Sequence, residues 1–433
     1  MIKYKESGVG WIGQIPEDWE VDRIKKVLKE RNEKNDPIKT ENILSLTNDR
    51  GVIPYSEKGA IGNNAKEDLT GYKLAYPNDL VLNSMNVVIG SVGVSKYFGA
   101  VSPVYYMLNL RNENESIEFY NYIFQTKEFQ KYLKGFGNGI LDIRMRIPMI
   151  NLNSVKIPIV APDKQHKIVT FLDKKCAQID ELIKLQEQEI EKLKEYKQSI
   201  ITEVVTKGLD KNAKMKDSGI DWIGEIPEHW KCCRLKNYCN VISKGETPKE
   251  ISVVKDDNFG VRFLKCENLL NGRLQNLPTF FISKSINDKM KRSQLKENDI
   301  LFVIAGATIG KTALVEKEFL PANINQAVCF IRIKEKYLKF LDYIHYFITS
   351  NCMKEYFNLK LVKSAQPNIS MEDLWNFPIL LPNIDEQFSL VEKIKIIDKN
   401  IYDLISIKQE KITKLQDYKK SLICEYVTGK KEI

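Results

Sequence analysis

DKQHKIVTFLDKKCAQIDELIKLQEQEIEKLKEYKQSIITEVVT, running from Asp163 to Thr206, decides the architecture of this 433-residue chain. Within it Ile179, Ile183, Gln186, Ile190, Leu193, Lys197, Ile200 and Val204 alternate four and three apart. That is the a/d seam of a coiled-coil helix, with Gln186 and Lys197 as its polar members. The C-terminal region repeats the seam as Ile401, Ile405, Lys408, Ile412, Leu415, Lys419, Leu422 and Tyr426, interrupted at the same two places. The surrounding letters repeat as well: EYKQSIITEVVTKG (Glu195 to Gly208) against DYKKSLICEYVTGK (Asp417 to Lys430). The two stretches are copies of one long helix. Asp163 is expected to cap the first copy, and Asn383 or Asp385 the second. Gly208 and Gly429 are expected to end them in the left-handed conformation.

The duplication extends outward. ESGVGWIGQIPEDW (Glu6 to Trp19) returns as DSGIDWIGEIPEHW (Asp217 to Trp230), and these copies hold four of the five tryptophans: Trp11, Trp19, Trp222 and Trp230. Large rings bury much area per residue, so they are read as packing anchors rather than a platform for bases. Each copy leads into a β-rich middle. YPNDLVLNSMNVVIGSVGV (Tyr76 to Val94) and LKENDILFVIAGATIGKTALV (Leu295 to Val315) both place a turn at Asn-Asp before a strand. Helical segments come next at Ile117 to Leu133 and Tyr337 to Phe357, then apolar proline runs, VKIPIVAPDKQ and WNFPILLPNIDEQ, and then the long helices. Trp11 to Trp222 is 211 positions, Pro158 to Pro378 is 220 and Tyr196 to Tyr418 is 222, so the second middle is the longer. The flanks match nearly letter for letter, whereas the middles agree in outline only.

The fold expected is α+β: two mixed α/β domains separated by two long antiparallel helices forming a coiled coil, with internal pseudo-two-fold symmetry. The first helix leaves domain one for domain two and the second returns, so the pair runs antiparallel. About 44 residues at 1.5 Å each give a strut of roughly 65 Å.

Composition sets the class. The chain is 43% hydrophobic and 28% charged, with net charge +9 and no apolar run of membrane-spanning length. Cytoplasmic localisation and no membrane contact are expected. Eight scattered cysteines and three separated histidines suggest reduced thiols and no metal site. The basic balance suits a polyanion partner without demanding one.

Together, SG-x-x-WIG-x-IP-x-x-W, the middle NDILF…GATIGKTA, the closing P-x-x-x-EQ at Pro382 to Gln387 and the duplicated helix resemble the specificity subunits of type I restriction–modification systems. The resemblance covers essentially the whole chain. It implies target-recognition domains at 1–161 and 209–382, and conserved spacer helices at 162–208 and 383–433. The first copy departs from the pattern: Gln165 lacks a preceding acid, and VVIGSVGV stands where the second copy has ATIGKTAL. The resemblance further implies a non-catalytic subunit that reads an asymmetric two-part site on double-stranded DNA. It implies two methyltransferase subunits and restriction/motor subunits as partners. S-adenosylmethionine, ATP and magnesium are expected on those partners, none on this chain.

The residues agree that catalysis lies elsewhere. AGATIGKT (Ala305 to Thr312) approaches a P-loop, but Ala305 replaces the first glycine. The next residues, ALVEKEFLPA, have strand and turn character, so a β-hairpin with a basic tip is expected. No G-x-S-x-G elbow, H-E-x-x-H or glycine fingerprint occurs.

DNA readout draws on Arg, Lys, Asn and Gln for base edges and on cations for phosphates. In the first middle the candidates are Asn63, Asn64, Asn83, Ser84, Asn86, Ser91, Lys96, Asn138, Arg144 and Arg146. In the second they are Lys265, Asn268, Arg273, Lys291, Arg292, Thr308, Lys311, Asn325, Gln326, Lys363, Gln366 and Asn368. Glycines 90, 93, 306 and 310 are expected to permit close backbone approach. The alternative reading is a non-enzymatic coiled-coil adaptor that binds proteins. It would show no sequence-selective DNA retention with a steep salt dependence.

Overall fold

The computed structural model describes residues 3–48, 50–59, 65–66, 68–137, 145–248, 260–270, 272–361 and 368–433. The chain forms two compact units. Unit 1 is Met1–Glu187 with Gln409–Ile433, and unit 2 is Gln188–Lys408.

In unit 1 the strands Leu28–Arg31, Tyr105–Leu110, Leu80–Asn83 and Val92–Val94 lie side by side in that order, all antiparallel. The Asn-Asp turn sets the third of them. Asn78 takes φ of 67°, and the Asp79 carboxylate accepts from the Tyr76 N–H at 2.9 Å. That carboxylate is buried and meets Arg31 at 3.1 Å. Burial pushes its pKa up, while the Tyr76 N–H and Arg31 pull it back. Helices Ile117–Gln125 and Lys127–Leu133 lay Phe119, Tyr120, Ile123, Phe124 and Phe129 into the core that also holds Trp11 and Trp19.

Unit 2 repeats the sheet as Cys239–Lys244, Val328–Ile333, Ile300–Val303 and Thr312–Leu314. Asn298 has φ of 69°, and buried Asp299 pairs with Arg332 at 2.6 Å. Leu80 pairs with Val94 and Ile300 with Leu314, so the divergent letters of the first copy fold in the same register. The near-P-loop is a hairpin, as its composition indicated. Beyond these sheets the middles differ. Unit 1 adds a hairpin of Leu44–Thr47 and Gly51–Pro54, whereas unit 2 adds a three-stranded sheet of Phe281–Ile282, Val261–Leu264 and Ala322–Ile324.

The long helices span Pro162–Lys207 and Ile384–Val427. Asn383 caps the second, its side-chain oxygen accepting from the Glu386 N–H at 2.9 Å. The first begins at Pro162, whose fixed φ suits the opening position, so Asp163 falls inside the first turn rather than at the cap. Gly208 and Gly429 come just after the helices with φ of 77° and 72°. Every seam residue of both helices is buried or half-buried. In unit 1, Ile168, Leu172 and Ile179 from early in the first helix share a core with Leu422, Ile423, Tyr426 and Val427 from late in the second. Asp180 pairs there with Lys419 at 2.7 Å, so the helices run antiparallel. In unit 2, Ile201, Val204 and Val205 pack with Leu390, Val391 and Ile394, and Lys197 pairs with Asp398. Lys408 pairs with Glu189 at 2.5 Å. The lysines that interrupt the seam therefore reach acids on the opposite helix.

The duplicated Trp motif receives the helix ends. A Cβ on Gly429 would lie 3.0 Å from the Trp19 ring and 2.5 Å from Pro16. One on Gly208 would lie 3.3 Å from Trp230. Both tryptophans are buried, which establishes them as anchors. The missing acid of the first copy has a consequence here. In unit 2 the buried Trp230 indole donates to Glu386 at 3.0 Å, and His229 meets the same carboxylate at 2.8 Å. In unit 1 the matching position is Lys164, which pairs with Asp18 at 2.6 Å and leaves the Trp19 indole N–H without a partner among the described residues. Glu386→Ala should therefore cost about 1–3 kcal/mol by orphaning a buried donor. Lys164→Ala should cost less than about 1 kcal/mol, because it loses only solvent-screened pairs with Asp18 and Glu432. Denaturant melts of the two variants check the difference.

Candidate nucleic-acid interface

Some of the sequence-predicted readers lie at equivalent ends of the two sheets. In unit 1 the end of strand Leu80–Asn83 runs into a turn that carries Asn83, Asn86 and Ser91. These line a cleft of about 610 Å³ beneath the Leu44–Thr47 hairpin. The hairpin sits there because two glycines let backbones touch: a Cβ on Gly93 would lie 2.8 Å from the Gly51 Cα. Gly93 thus serves internal packing rather than approach to a ligand. Ser84 is also withdrawn from readout. It is fully buried and its hydroxyl donates to the Val104 carbonyl at 2.8 Å. Lys96 and Arg146 are exposed. Asn63, Asn64, Asn138 and Arg144 lie outside the described residues.

In unit 2 the corresponding end gathers three segments. The hairpin turn carries half-buried Thr308 and Lys311, the turn before Val328–Ile333 carries Asn325 and Gln326, and Asn368 bridges to Ala305. The Asn325 side-chain oxygen is buried without a partner among the described residues, and Gln326 and Asn368 are exposed. Gly306 and Gly310 both take φ of 91° with open space around them. Other candidates fall away from this cluster. Asn268 is buried, its amide donating to the carbonyls of Gln275 at 3.2 Å and Pro278 at 2.8 Å. It holds a loop and does not read. Arg273, largely exposed, lies over Tyr402 and 3.7 Å from Asp398 on the second long helix. The Lys265 ammonium sits 3.7 Å from the centroid of Phe280. Arg292 pairs with Glu246 at 3.2 Å, and Lys291 is exposed. Lys363 and Gln366 lie outside the described residues.

Sequence reasoning missed Asn48, Arg50, Tyr55, Lys58 and Tyr105, all of which line the unit 1 cleft. The signal available was Asn48 to Gly51, a turn-forming stretch between two apolar runs.

The family model for the type I restriction modification DNA specificity domain matches residues 16–195 and 227–414, one match over each repeat. The chain belongs to this family. The specificity subunit MjaVIII of Methanocaldococcus jannaschii is 26% identical over 432 residues, covering 96% of this chain and 94% of that protein. The EcoBI specificity subunit of Escherichia coli is 28% identical over 285 residues, covering 64% of this chain and 58% of its own length. Among solved structures, a chain from work on complex assembly and conformational transition of the type I R-M system superposes with a TM-score of 0.64 at 16% identity. It covers 95% of this chain and 98% of the other, and it supports the α+β fold with two repeats and long helices. The specificity family recognises DNA, and the adaptor reading is not favoured. No helix among the described residues is long and apolar enough to cross a membrane.

Proposed function

We propose that each unit reads one half of an asymmetric, two-part DNA site, while the long helices set the separation of the halves and dock two methyltransferase subunits. The two sheet ends are equivalent in topology but carry unlike side chains, which suits two different half-sequences. The observation that carries the docking is a duplicated helix surface. Leu182 and Leu185 on the first helix, with Tyr418 on the second, are exposed in unit 1. Their equivalents at the 222-residue offset, Leu404, Ile407 and Tyr196, are exposed in unit 2. Exposed apolar side chains recurring at the same three positions of a repeat suit two copies of one partner.

The chain itself performs no chemistry in this reading; S-adenosylmethionine, ATP and magnesium act on the methyltransferase and restriction/motor subunits. The histidines lie in three unlike surroundings. His166 contacts the Asn114 carbonyl at 3.0 Å and His229 contacts Glu386. The His345 Nε2 is buried without a partner among the described residues, and burial pushes its pKa down to about 4, which keeps the ring neutral.

Leu182→Glu with Leu185→Glu should release one methyltransferase subunit, and Leu404→Glu with Ile407→Glu should release the other. Light scattering of the purified complex reads the mass. Two bound copies in either double variant would refute the docking assignment. The exposed positions should leave stability within about 0.5 kcal/mol.

A further inference from the structure

The unit 1 cleft poses a geometric problem for a surface that reads DNA. Base edges in a duplex lie on the floor of a groove about 8.5 Å deep and are reached by side chains that project. A recess receives what protrudes instead. At about 610 Å³ the cleft falls within the roughly 300–1,000 Å³ of pockets that enclose one small ligand. A single nucleotide belongs to that size class.

The lining suits one. Tyr55 and Tyr105 provide aromatic surface, on which bases stack without regard to sequence. The Tyr55 hydroxyl accepts from the Ala65 N–H at 3.0 Å, which fixes its ring, and the Lys58 ammonium sits 5.1 Å from that ring's centroid. Asn83 and Asn86 supply amides. The Asn83 oxygen accepts from the Met85 N–H at 3.0 Å, leaving its NH₂ group for a ligand. Asn86 occupies the cap position of the turn Val87–Ile89, yet its side chain makes no capping bond. That amide lines the cleft and is therefore open to a ligand.

We propose that this cleft takes one nucleotide displaced from the stack of the half-site that unit 1 reads, its base against the tyrosines and its pairing edge on the amides. This rests on unit 1 reading DNA. The thermodynamic signature is distinctive, because a mismatched base costs less to unstack than a paired one. Readout within the helix gains nothing from a mismatch.

The test uses the full chain in complex with its methyltransferase subunits. Mapping of methylated adenines first gives the half-sites. Duplexes then keep one strand unchanged and carry a single mismatched base opposite each position in turn. One position in the unit 1 half, other than the methylated adenine, should bind at least about fivefold more tightly when mismatched. Asn86→Ala should abolish that gain and leave any gain at the methylated adenine intact. Asn48→Ala serves if the first variant does not fold. Mismatches that weaken or do not alter binding at every other position in that half overturn the proposal, and so does a gain that survives the substitution. A methylated site with no base preference in the half assigned to unit 1 would refute DNA reading by unit 1 instead.

Discussion

Replacing residues 20–150 with the equivalent segment of another specificity subunit changes one half of the methylated sequence and leaves the other half and the spacer as they were. The segment contains the four-stranded sheet, its covering helices and the cleft, all within unit 1. The contacts at the helix ends stay outside it, whereas Tyr122–Asp173 and Ser116–Gln165 reach from the segment to the first helix and must be supplied by the donor. Trp19 against Gly429, the Asp18–Lys164 pair and the seam are untouched. Each well-placed base contact contributes about 1–3 kcal/mol of discrimination. Losing several moves the preference between old and new half-sites by roughly a thousandfold or more. Sequencing of methylated adenines reads the outcome, and a change in both halves would mean that the units do not read separately.

Shortening both long helices by four residues at facing positions shortens the preferred spacer by up to about two base pairs. Four residues amount to about 6 Å of helix, against 3.4 Å per base-pair step. The effect depends on both helices being continuous, and they run unbroken over Pro162–Lys207 and Ile384–Val427. Removing four residues also disturbs the four-three alternation and overwinds the seam locally, so methylation slows as the spacer contracts. Removal from one helix alone would leave ion pairs such as Lys419–Asp180 and Lys408–Glu189 out of register, and should destabilise the chain without defining a new spacer.

Much of the fold was readable because its determinants are local. The alternation of Ile179, Ile183 and Ile190 encodes a seam, and Asn78-Asp79 and Asn298-Asp299 encode turns whose asparagines take positive φ. Ala305 in place of glycine marked a hairpin, and Gly208 and Gly429 marked helix ends. The readers were less legible because burial of a polar residue is decided by partners beyond the reach of helix or strand periodicity. Ser84 looks like a surface residue until the Val104 carbonyl claims its hydroxyl. Asn268 looks like a base reader until its amide ties Gln275 and Pro278 together. Arg273 finds its acid 125 positions on, at Asp398, across a packing that no local pattern announces. The cleft depends on two glycines, Gly51 and Gly93, touching from separate strands. Gly93 stands out in the sequence as a point of close backbone approach, but nothing local says that Gly51 is what approaches it, so the place of Asn48, Arg50 and Tyr55 beside Asn83 is not legible there.

Long-read mapping of methylated adenines in a host carrying this chain with its methyltransferase partners tests the central claim most directly. The expected result is one site of two unlike half-sequences separated by a spacer of fixed length and indifferent sequence. A continuous or palindromic site, or half-sites joined by spacers of variable length, would contradict it.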